Sequence, residues 1–166
     1  MSELAAITIR AATPADEAAL GRLGALLVAV HHGFDPQRFM AATPRTEQSY
    51  GGFLASQLAE PDALVLVAEA AGEVVGYAYA GVEGTDYMAL RGPAGVVYDV
   101  IVDPARRRAG IGRQLMEAAV AALVERGAPR VVLSTAERNP DAQRLFASLG
   151  FRRTMIEMTW EPPAKA

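Results

Sequence analysis

The sequence contains no cysteine. Disulfides, thiolate metal sites and cysteine nucleophiles are therefore excluded together. The only two histidines, His31 and His32, are adjacent, and no HExxH-type spacing accompanies them. We therefore predict that no metal is bound. Their position just before Gly33 and Pro36 is typical of a helix end near the surface.

Long apolar runs are also missing. No stretch approaches the 18 uninterrupted apolar residues of a membrane-spanning helix. The first twenty residues have neither a basic segment nor a long apolar core, so we predict no signal peptide and expect a cytoplasmic location. The net charge of −3 argues against general nucleic-acid binding, for which a basic surface is typical. It does not argue against one small polyanion, because a local basic patch can lie on an acidic protein.

The apolar periodicity predicts ten elements in a single domain over residues 1–166, with a frayed tail at 161–166. In order they are a strand, two helices, three strands, a helix, a strand, a helix and a last strand. The predicted ranges are 7–11, 14–33, 45–60, 63–70, 74–82, 94–102, 110–127, 130–135, 139–149 and 151–160. This order favours an α/β (α+β mixed) fold, in which a mixed sheet carries helices on both faces.

The most informative pattern lies between Val97 and Val120, where a strand runs into a turn and then a helix. The turn holds three arginines at 106–108, and Gly110-Ile111-Gly112 opens the helix. A helix start offers unbonded N–H groups and a positive dipole end, and glycine lets phosphate oxygens approach the backbone. A solvated turn is the alternative. Four arginines within 106–113 favour the diphosphate site instead.

Two familiar phosphate motifs fit this turn poorly. A dinucleotide fold requires GxGxxG, but Leu115 stands where the third glycine belongs. A P-loop requires GxxxxGK followed by serine or threonine, which the sequence lacks. Both absences disfavour a nucleotide-binding module.

Two segments resemble the GNAT family of N-acetyltransferases. Residues 107–112 read Arg-Arg-Ala-Gly-Ile-Gly and fit the family's [QR]-x-x-G-x-[GA] signature completely. The preceding residues 100–104 look like its apolar approach to that turn, and residues 139–151 fit its N-x-x-A-x-x-L-[YF]-x-x-L-G-F block. The resemblance is strong over 63–160 and rests on pattern alone over 5–60.

The resemblance implies a central sheet splayed between its fourth and fifth strands, with acetyl-CoA as the co-substrate. The pantetheine arm would pair with the backbone of Val100 to Val102, and the pyrophosphate would lie on the amides of Arg108 to Arg113. Asn139 would contact the pantetheine or cap its own helix. The residues so assigned to coenzyme A are Val100, Ile101, Val102, Arg107, Arg108, Ala109, Gly110, Ile111, Gly112, Arg113, Asn139 and Phe146.

The catalytic groups are less clear, because many family members carry a tyrosine acid where this sequence has Phe146. Phenylalanine has no proton to donate, so Tyr98 is the first candidate for the acid. Asp99 is the candidate base, with simple pairing to an arginine as the alternative. Strict alternation would place Tyr98 and Asp99 on opposite faces of the strand, but the β-bulge frequent in this family would re-aim them.

The function that follows is acetyl transfer to a primary amine by direct attack in a ternary complex. The lack of cysteine favours this over a cysteine-linked acetyl-enzyme. The acceptor would be a small-molecule or protein amine, and a homodimer is expected only in so far as dimers are frequent in the family. Alternatives are another acyl-CoA, or a coenzyme A-binding domain without turnover, which Phe146 keeps open. Candidate acceptor-site residues are His31, Phe34, Phe39, Tyr79, Asp86, Tyr87 and Arg91.

Overall fold

A computed structural model describes residues 6–165; the two ends of the expected domain, 1–5 and 166, lie outside the described residues. Short 3-10 turns at Pro14–Asp16 and Pro104–Arg106 precede two of the helices. The strands and helices are β1 (Ile7–Ala11), α1 (Glu17–Phe34), α2 (Thr46–Gln57), β2 (Ala63–Ala70), β3 (Glu73–Glu83), β4 (Ala94–Val102), α3 (Ile111–Glu125), β5 (Val131–Leu133) and α4 (Pro140–Ser148). Their order is the predicted one as far as α4.

The five strands form one mixed sheet in the order β1-β2-β3-β4-β5. The first four pair antiparallel, while β4 and β5 are parallel. Leucines of α1 and α2 pack on one face around Tyr77, and α3 covers the other face through Ile111 and Leu115. The predicted mixed sheet with helices on both faces is confirmed. Within residues 6–165 no helix is long and apolar enough to cross a bilayer.

The sheet opens between β4 and β5. The two strands pair only where Gly95 to Val97 face Val131 to Leu133. Beyond Val97, β4 continues to Val102 with no strand on that side in the described chain. The predicted splay between the fourth and fifth strands is therefore confirmed, and it leaves one edge of β4 free.

Glycines bring α1 and α2 into close contact. A Cβ on Gly51 would lie 2.8 Å from the carbonyl oxygen of Glu17, and one on Gly21 would overlap the carbonyl of Glu47. The ring of Tyr50 lies directly over Gly24, where a Cβ would overlap it. Gly51 weakens the helix by propensity, but only a residue without a side chain permits this approach. The helix pair thereby fixes the position of Tyr50.

The prediction of a last strand over residues 151–160 is wrong. Residues 152–160 are all exposed, form no strand and make no backbone–backbone hydrogen bond in the structure described. An extended segment becomes a strand only when a neighbouring strand accepts and donates its hydrogen bonds. Among residues 6–165 no neighbouring strand supplies these bonds.

The buried carboxylate of Asp16, near the start of α1, should make the stability of the fold depend on pH. Arg10 donates two hydrogen bonds to Asp16, at 2.8 and 2.9 Å, and also binds Glu69. The bonds from Arg10 lower the pKa of Asp16 to about 2. This contribution to stability is present above pH ~4 and is lost as the pH falls towards 2. We expect Asp16→Asn to lower the free energy of unfolding by about 2 kcal/mol at pH 7, a difference that denaturant titrations should show shrinking between pH 4 and 2. A difference that stays constant over this range would contradict the assignment.

Candidate active site

A cleft of about 230 Å³ lies where β4 and β5 separate. Residues of α1, of the segment that follows it, of β4, of β5 and of α4 form its wall. They include Leu27, His31, Phe39, Met40, Val97, Tyr98, Asp99, Val100, Leu133, Ser134, Thr135, Asn139, Ala142 and Phe146. The fold thus brings Tyr98, Asp99, Val100, Asn139 and Phe146 of the predicted set into one cavity. Ile101, Val102 and the turn at 107–113 lie outside its lining.

The free edge of β4 connects this cleft to the arginine–glycine turn. The strand ends at Val102, and Gly112 lies beside it, since a Cβ on Gly112 would be 3.8 Å from the Val102 side chain. The same Cβ would lie 3.5 Å from Leu145 of α4. The turn therefore lies at the far end of the opening between β4 and α4.

The turn carries a row of unbonded backbone donors. No backbone acceptor is found for the N–H groups of residues 108–113 in the part of the chain that is described, and Gln114 is the first to bond, to the Gly110 carbonyl at 3.1 Å. Gly110 caps α3 with φ of 75°, and Arg108 has φ of 65°. A non-glycine residue in this left-handed region is strained, and such strain is common at binding sites. Six adjacent donors beside exposed arginines suit a diphosphate.

Asp99 is held by two tyrosines. Its Oδ2 accepts hydrogen bonds from the hydroxyls of Tyr50 at 2.6 Å and Tyr77 at 3.0 Å. Burial raises the pKa of Asp99 above its usual range, although both tyrosines and His31 act to lower it. Such a carboxylate is a stronger base than an exposed one. Its Oδ1 takes no hydrogen bond from the described residues.

A β-bulge at Tyr98 decides where both candidate residues point. Tyr79 of β3 faces Asp99, whereas the next residue, Ala80, faces Val97, so Tyr98 is the extra residue. The ring of Tyr98 lies 4.7 Å from that of Tyr79, and Asp99 binds Tyr77, two residues along β3. Tyr77 and Tyr79 share a face because strand side chains alternate. Tyr98 and Asp99 therefore lie on the same face, where strict alternation would have separated them.

The Tyr98 hydroxyl is engaged outside the cleft. It donates to Glu83 at 2.6 Å, and Glu83 also binds Arg91 at 2.6 Å. Burial, then Glu83, raises the pKa of Tyr98 above its usual range. The phenol is 41% exposed, so solvent can reach it. To give its proton to a group in the cleft, Tyr98 must turn away from Glu83.

The two residues from the second motif have mainly structural contacts. Asn139 accepts a hydrogen bond from the N–H of Ala142 at 3.2 Å and so caps α4. The capping role is thus observed, and since Asn139 also lines the cleft, its predicted contact with pantetheine stays a prediction. Phe146 is 6% exposed and lies against Phe151, with its remaining surface on the cleft.

His31, expected near a helix end and as a candidate acceptor-site residue, lines the cleft. Its Nδ1 lies 2.8 Å from the carbonyl oxygen of Leu27, one turn earlier in α1. A carbonyl oxygen can only accept, so Nδ1 carries a proton in this contact. The ring also packs edge-on against Phe39.

The loop before β4 was expected to contribute residues to the acceptor site, but none of its residues lines the cleft. Arg91 pairs with Glu83 and lies 3.9 Å from Asp86, while Tyr87 is exposed and does not line the cleft. Tyr79 donates to Gln57 at 2.9 Å beside Tyr98. No group of three or more His, Asp or Glu residues suited to a metal occurs among residues 6–165.

Sequence comparison relates this chain to acetyltransferases. The model of the acetyltransferase (GNAT) family matches residues 27–151. A mycothiol acetyltransferase of Thermobispora bispora is 42% identical over 98 residues, which are 57% of this chain and 32% of that protein. A mycothiol acetyltransferase of Cellulomonas flavigena is 33% identical over 163 residues, which are 95% of this chain and 44% of that protein. The chain spans less than half the length of these curated relatives.

Solved structures extend the similarity to the fold. A protein from Bacillus halodurans superposes with a TM-score of 0.77 at 23% identity, covering 95% of this chain and 99% of that one. An aminoglycoside N-acetyltransferase in complex with CoA superposes with a TM-score of 0.72 at 17% identity, covering 99% of both chains. At these identities the comparison concerns the architecture alone.

Proposed function

The chain belongs to the acetyltransferase (GNAT) family, and from that premise we propose that it moves an acetyl group from acetyl-CoA to a primary amine by direct attack in a ternary complex. One arrangement carries the proposal. The free edge of β4 runs from a cleft holding a half-buried carboxylate, Asp99, to a turn with six unbonded N–H groups and exposed arginines.

The residues present fit coenzyme A. The backbone of Val100, Ile101 and Val102 would pair with the pantetheine arm, and residues 107–113 would hold the diphosphate. The glycine at 112 has only ordinary side-chain contacts around its missing Cβ, and the one at 110 has open space. When bound, acetyl-CoA would supply the acetyl group as a thioester.

Asp99 is the proposed base. An ammonium must lose a proton before its nitrogen can attack, and a carboxylate with a raised pKa suits that step near neutral pH. Tyr50 and Tyr77 fix Oδ2 and leave Oδ1 to receive the proton. Tyr50 itself is held by the close contact of α1 with α2, so the base has a rigid support.

Tyr98 is the proposed acid in place of the tyrosine that Phe146 replaces. The ring of Tyr98 lies on the same face of β4 as Asp99, and the residue borders the cleft. Its raised pKa makes it a weak acid in the conformation bonded to Glu83. Release from Glu83 is therefore part of the proposal, since it would remove the part of the rise in the pKa of Tyr98 that comes from Glu83.

The proposed acceptor is a primary amine. The acceptor of mycothiol acetyltransferases should be among the amines tested, because these proteins are similar in sequence to this chain. The chain covers under half of their length. Apolar and aromatic groups from α1 and the segment after it, Leu27, Phe39 and Met40, would face the acceptor from the side of the cleft opposite α4.

Thiol release tests the proposal. Acetyl-CoA is incubated with the protein and a panel of primary amines, comprising amino acids, polyamines, sugar amines, peptide N-termini and the acceptor of mycothiol acetyltransferases. We expect thiol to appear only when an amine is present. Calorimetric binding of acetyl-CoA without thiol release for any amine would favour the alternative, a coenzyme A-binding domain without turnover.

Direct attack also predicts that the enzyme carries no acetyl group between turnovers. The sequence has no cysteine to hold one. Incubation with acetyl-CoA alone, followed by intact-mass spectrometry, should show no stoichiometric adduct of acetyl mass. A stable adduct that transfers its acetyl group on addition of amine would overturn the ternary mechanism.

A further inference from the structure

A second cavity, of about 250 Å³, lies beside the cleft, and Tyr98 borders both. It is bounded by the end of α2, the connection from α2 to β2, and the strands β3 and β4. We call it the outer pocket, and the residues that matter in its lining are Gln57, Glu60, Asp62, Tyr79, Gly81 and Tyr98. The proposed transfer of an acetyl group at Asp99 makes no use of this space, although the proposed acid, Tyr98, forms part of its wall.

Aromatic rings form one wall of the outer pocket. The rings of Tyr79 and Tyr98 lie 4.7 Å apart at an angle of 36°, and Phe53 packs edge-on against Tyr79. Gly81 permits this wall, because a Cβ there would lie 3.3 Å from the ring of Tyr98 and 3.0 Å from the carbonyl oxygen of Asp62. The face of an aromatic ring carries partial negative charge and attracts ammonium groups. A wall of tyrosines therefore favours a cation over an anion.

Two carboxylates in the lining add negative charge that no basic side chain balances. Within residues 6–165, neither Glu60 nor Asp62 forms an ion pair. The nearby Arg126 extends from the end of α3 and donates to backbone carbonyl oxygens of the connection instead. Burial raises the pKa of Tyr79, and the negative charges around it, Glu60 among them, raise it further. The aromatic wall and the carboxylates thus favour the same kind of ligand, a positively charged group.

The outer pocket lies a short distance along the sheet from Asp99. Asp99 faces Tyr79 across β4 and β3, and Gly81 is two residues further along β3. Because a strand rises about 3.3 Å per residue and its side chains alternate, Gly81 lies on the same face as Tyr79 and ~7 Å along the sheet from Asp99. One acceptor can therefore place a nitrogen at the carboxylate of Asp99 and a second charged group over Gly81.

We propose that the outer pocket binds a second positive charge of the acceptor, so that the acceptor is a diamine or polyamine. Its far ammonium would lie against the tyrosine wall with Glu60 and Asp62 around it. The inference rests on the proposed transfer at Asp99, and only the near nitrogen reacts. That nitrogen gives a proton to Asp99 and forms the amide bond as the C–S bond of the thioester breaks, and the sulfur leaves as a thiol with the proton of Tyr98. The far ammonium keeps its charge throughout.

A series of diamines of increasing length tests the proposal. Unbranched diamines from diaminoethane to diaminooctane are each compared with the alkyl monoamine of the same chain length, with acetyl-CoA as donor and thiol release as the readout. Once the chain is long enough to span the distance from Asp99 to Gly81, kcat/KM for the diamine should exceed that for its monoamine by ~10-fold, as expected for an ammonium on aromatic faces. The difference should lie mainly in KM, because the far charge makes the same contacts before and during the reaction.

Exposed glutamates at the two ends of α2 supply the variant and its control. Glu60→Gln and Asp62→Asn each remove one charge from the outer pocket and should reduce the preference for the long diamine while leaving the rate with the monoamine unchanged. Glu47→Gln removes an exposed charge at the start of α2, away from the pocket, and should keep the preference. Glu60→Lys should reverse the preference, so that an ω-amino acid of the same length, with a carboxylate at its far end, becomes a better acceptor than the diamine.

The outcomes separate this inference from the proposed function. Equal kcat/KM for diamine and monoamine at every length, with both acetylated, would overturn the subsite and leave amine acetylation intact. A preference that survives both Glu60→Gln and Asp62→Asn would place the second charge elsewhere and also overturn it.

Failure of every amine to release thiol would count against the proposed function instead. Calorimetric titration of diaminooctane into the protein saturated with coenzyme A then tests the subsite by itself. Binding that Glu60→Gln weakens and Glu47→Gln does not would support the outer pocket as a cation site, and absence of binding would overturn it.

Discussion

Replacing Gly112 with aspartate is expected to reduce acetyl-CoA binding by roughly 100- to 1,000-fold while the protein stays folded. Gly112 lies in the first turn of α3, among the unbonded N–H groups of residues 108–113. A carboxylate there would repel a diphosphate, and two like charges about 4 Å apart near a protein surface repel by about 4 kcal/mol. Isothermal titration calorimetry measures the affinity.

We expect the fold to tolerate Gly112→Asp. A Cβ at position 112 would meet Leu145 at 3.5 Å, an ordinary contact, and a negative charge in the first turn of a helix is favourable. Gly112→Ala is the matched control, since it adds the Cβ without the charge and should bind acetyl-CoA within a few-fold of the parent. Unchanged affinity in Gly112→Asp would remove the diphosphate from this turn.

Asp99→Asn should lower kcat by ~10²–10⁴-fold with little change in acetyl-CoA affinity. The amide cannot accept the ammonium proton, so the acidic limb of the pH–rate profile should move or vanish. Because the folded-state pKa of Asp99 is raised, ionising it costs stability as the pH rises above the unfolded value. The variant should therefore melt at the same or a higher temperature than the parent at pH 7, which separates lost chemistry from lost folding.

Two tyrosines provide the controls for Asp99. Tyr50→Phe and Tyr77→Phe each remove one hydrogen bond that favours the charged carboxylate, so the acidic limb should shift to higher pH in both. A structural role alone would not move this limb. If Asp99→Asn keeps parental rates with a good acceptor while His31→Phe does not, the base is His31 and the assignment of Asp99 is wrong.

A double substitution tests the acid. Tyr98→Phe should lower kcat and affect the basic limb of the profile. Phe146→Tyr should be close to neutral in the parent but should partly restore the Tyr98→Phe variant. Such a rescue is non-additive, as expected when two residues serve one function.

The elements could be read from the sequence because their determinants are local. Gly127 and Gly150, predicted to end two helices, have φ of 91° and 92°, a conformation that glycine adopts freely. The splayed sheet and the turn at the start of α3 followed from two short motifs. The bulge at Tyr98 was expected from the family resemblance alone, since nothing in the order of these residues requires it.

The surroundings of Asp99 could not be read in the same way. Tyr50 and Tyr77 lie 49 and 22 residues away in sequence. Tyr50 meets Asp99 only because α2 packs near β4, and Tyr77 meets it only because β3 pairs with β4. The last strand failed for a related reason. Its alternation was correctly recognised, but pairing depends on a neighbour, and sequence pattern does not say whether that neighbour is in the same chain.

The glycine contact between α1 and α2 divides the proposed acceptor side of the cleft into a fixed part and an adaptable one. Any side chain at Gly21, Gly24 or Gly51 would push the helices apart or displace Tyr50, so the helix pair tolerates little variation. The segment 35–45 that joins the two helices carries no such restriction, and it reaches the cleft through Phe39 and Met40. If the proposed acceptor site is correct, a change of acceptor should therefore come from changes in the length and composition of this segment. Such changes would leave the contact of Tyr50 with Asp99, the proposed base, in place.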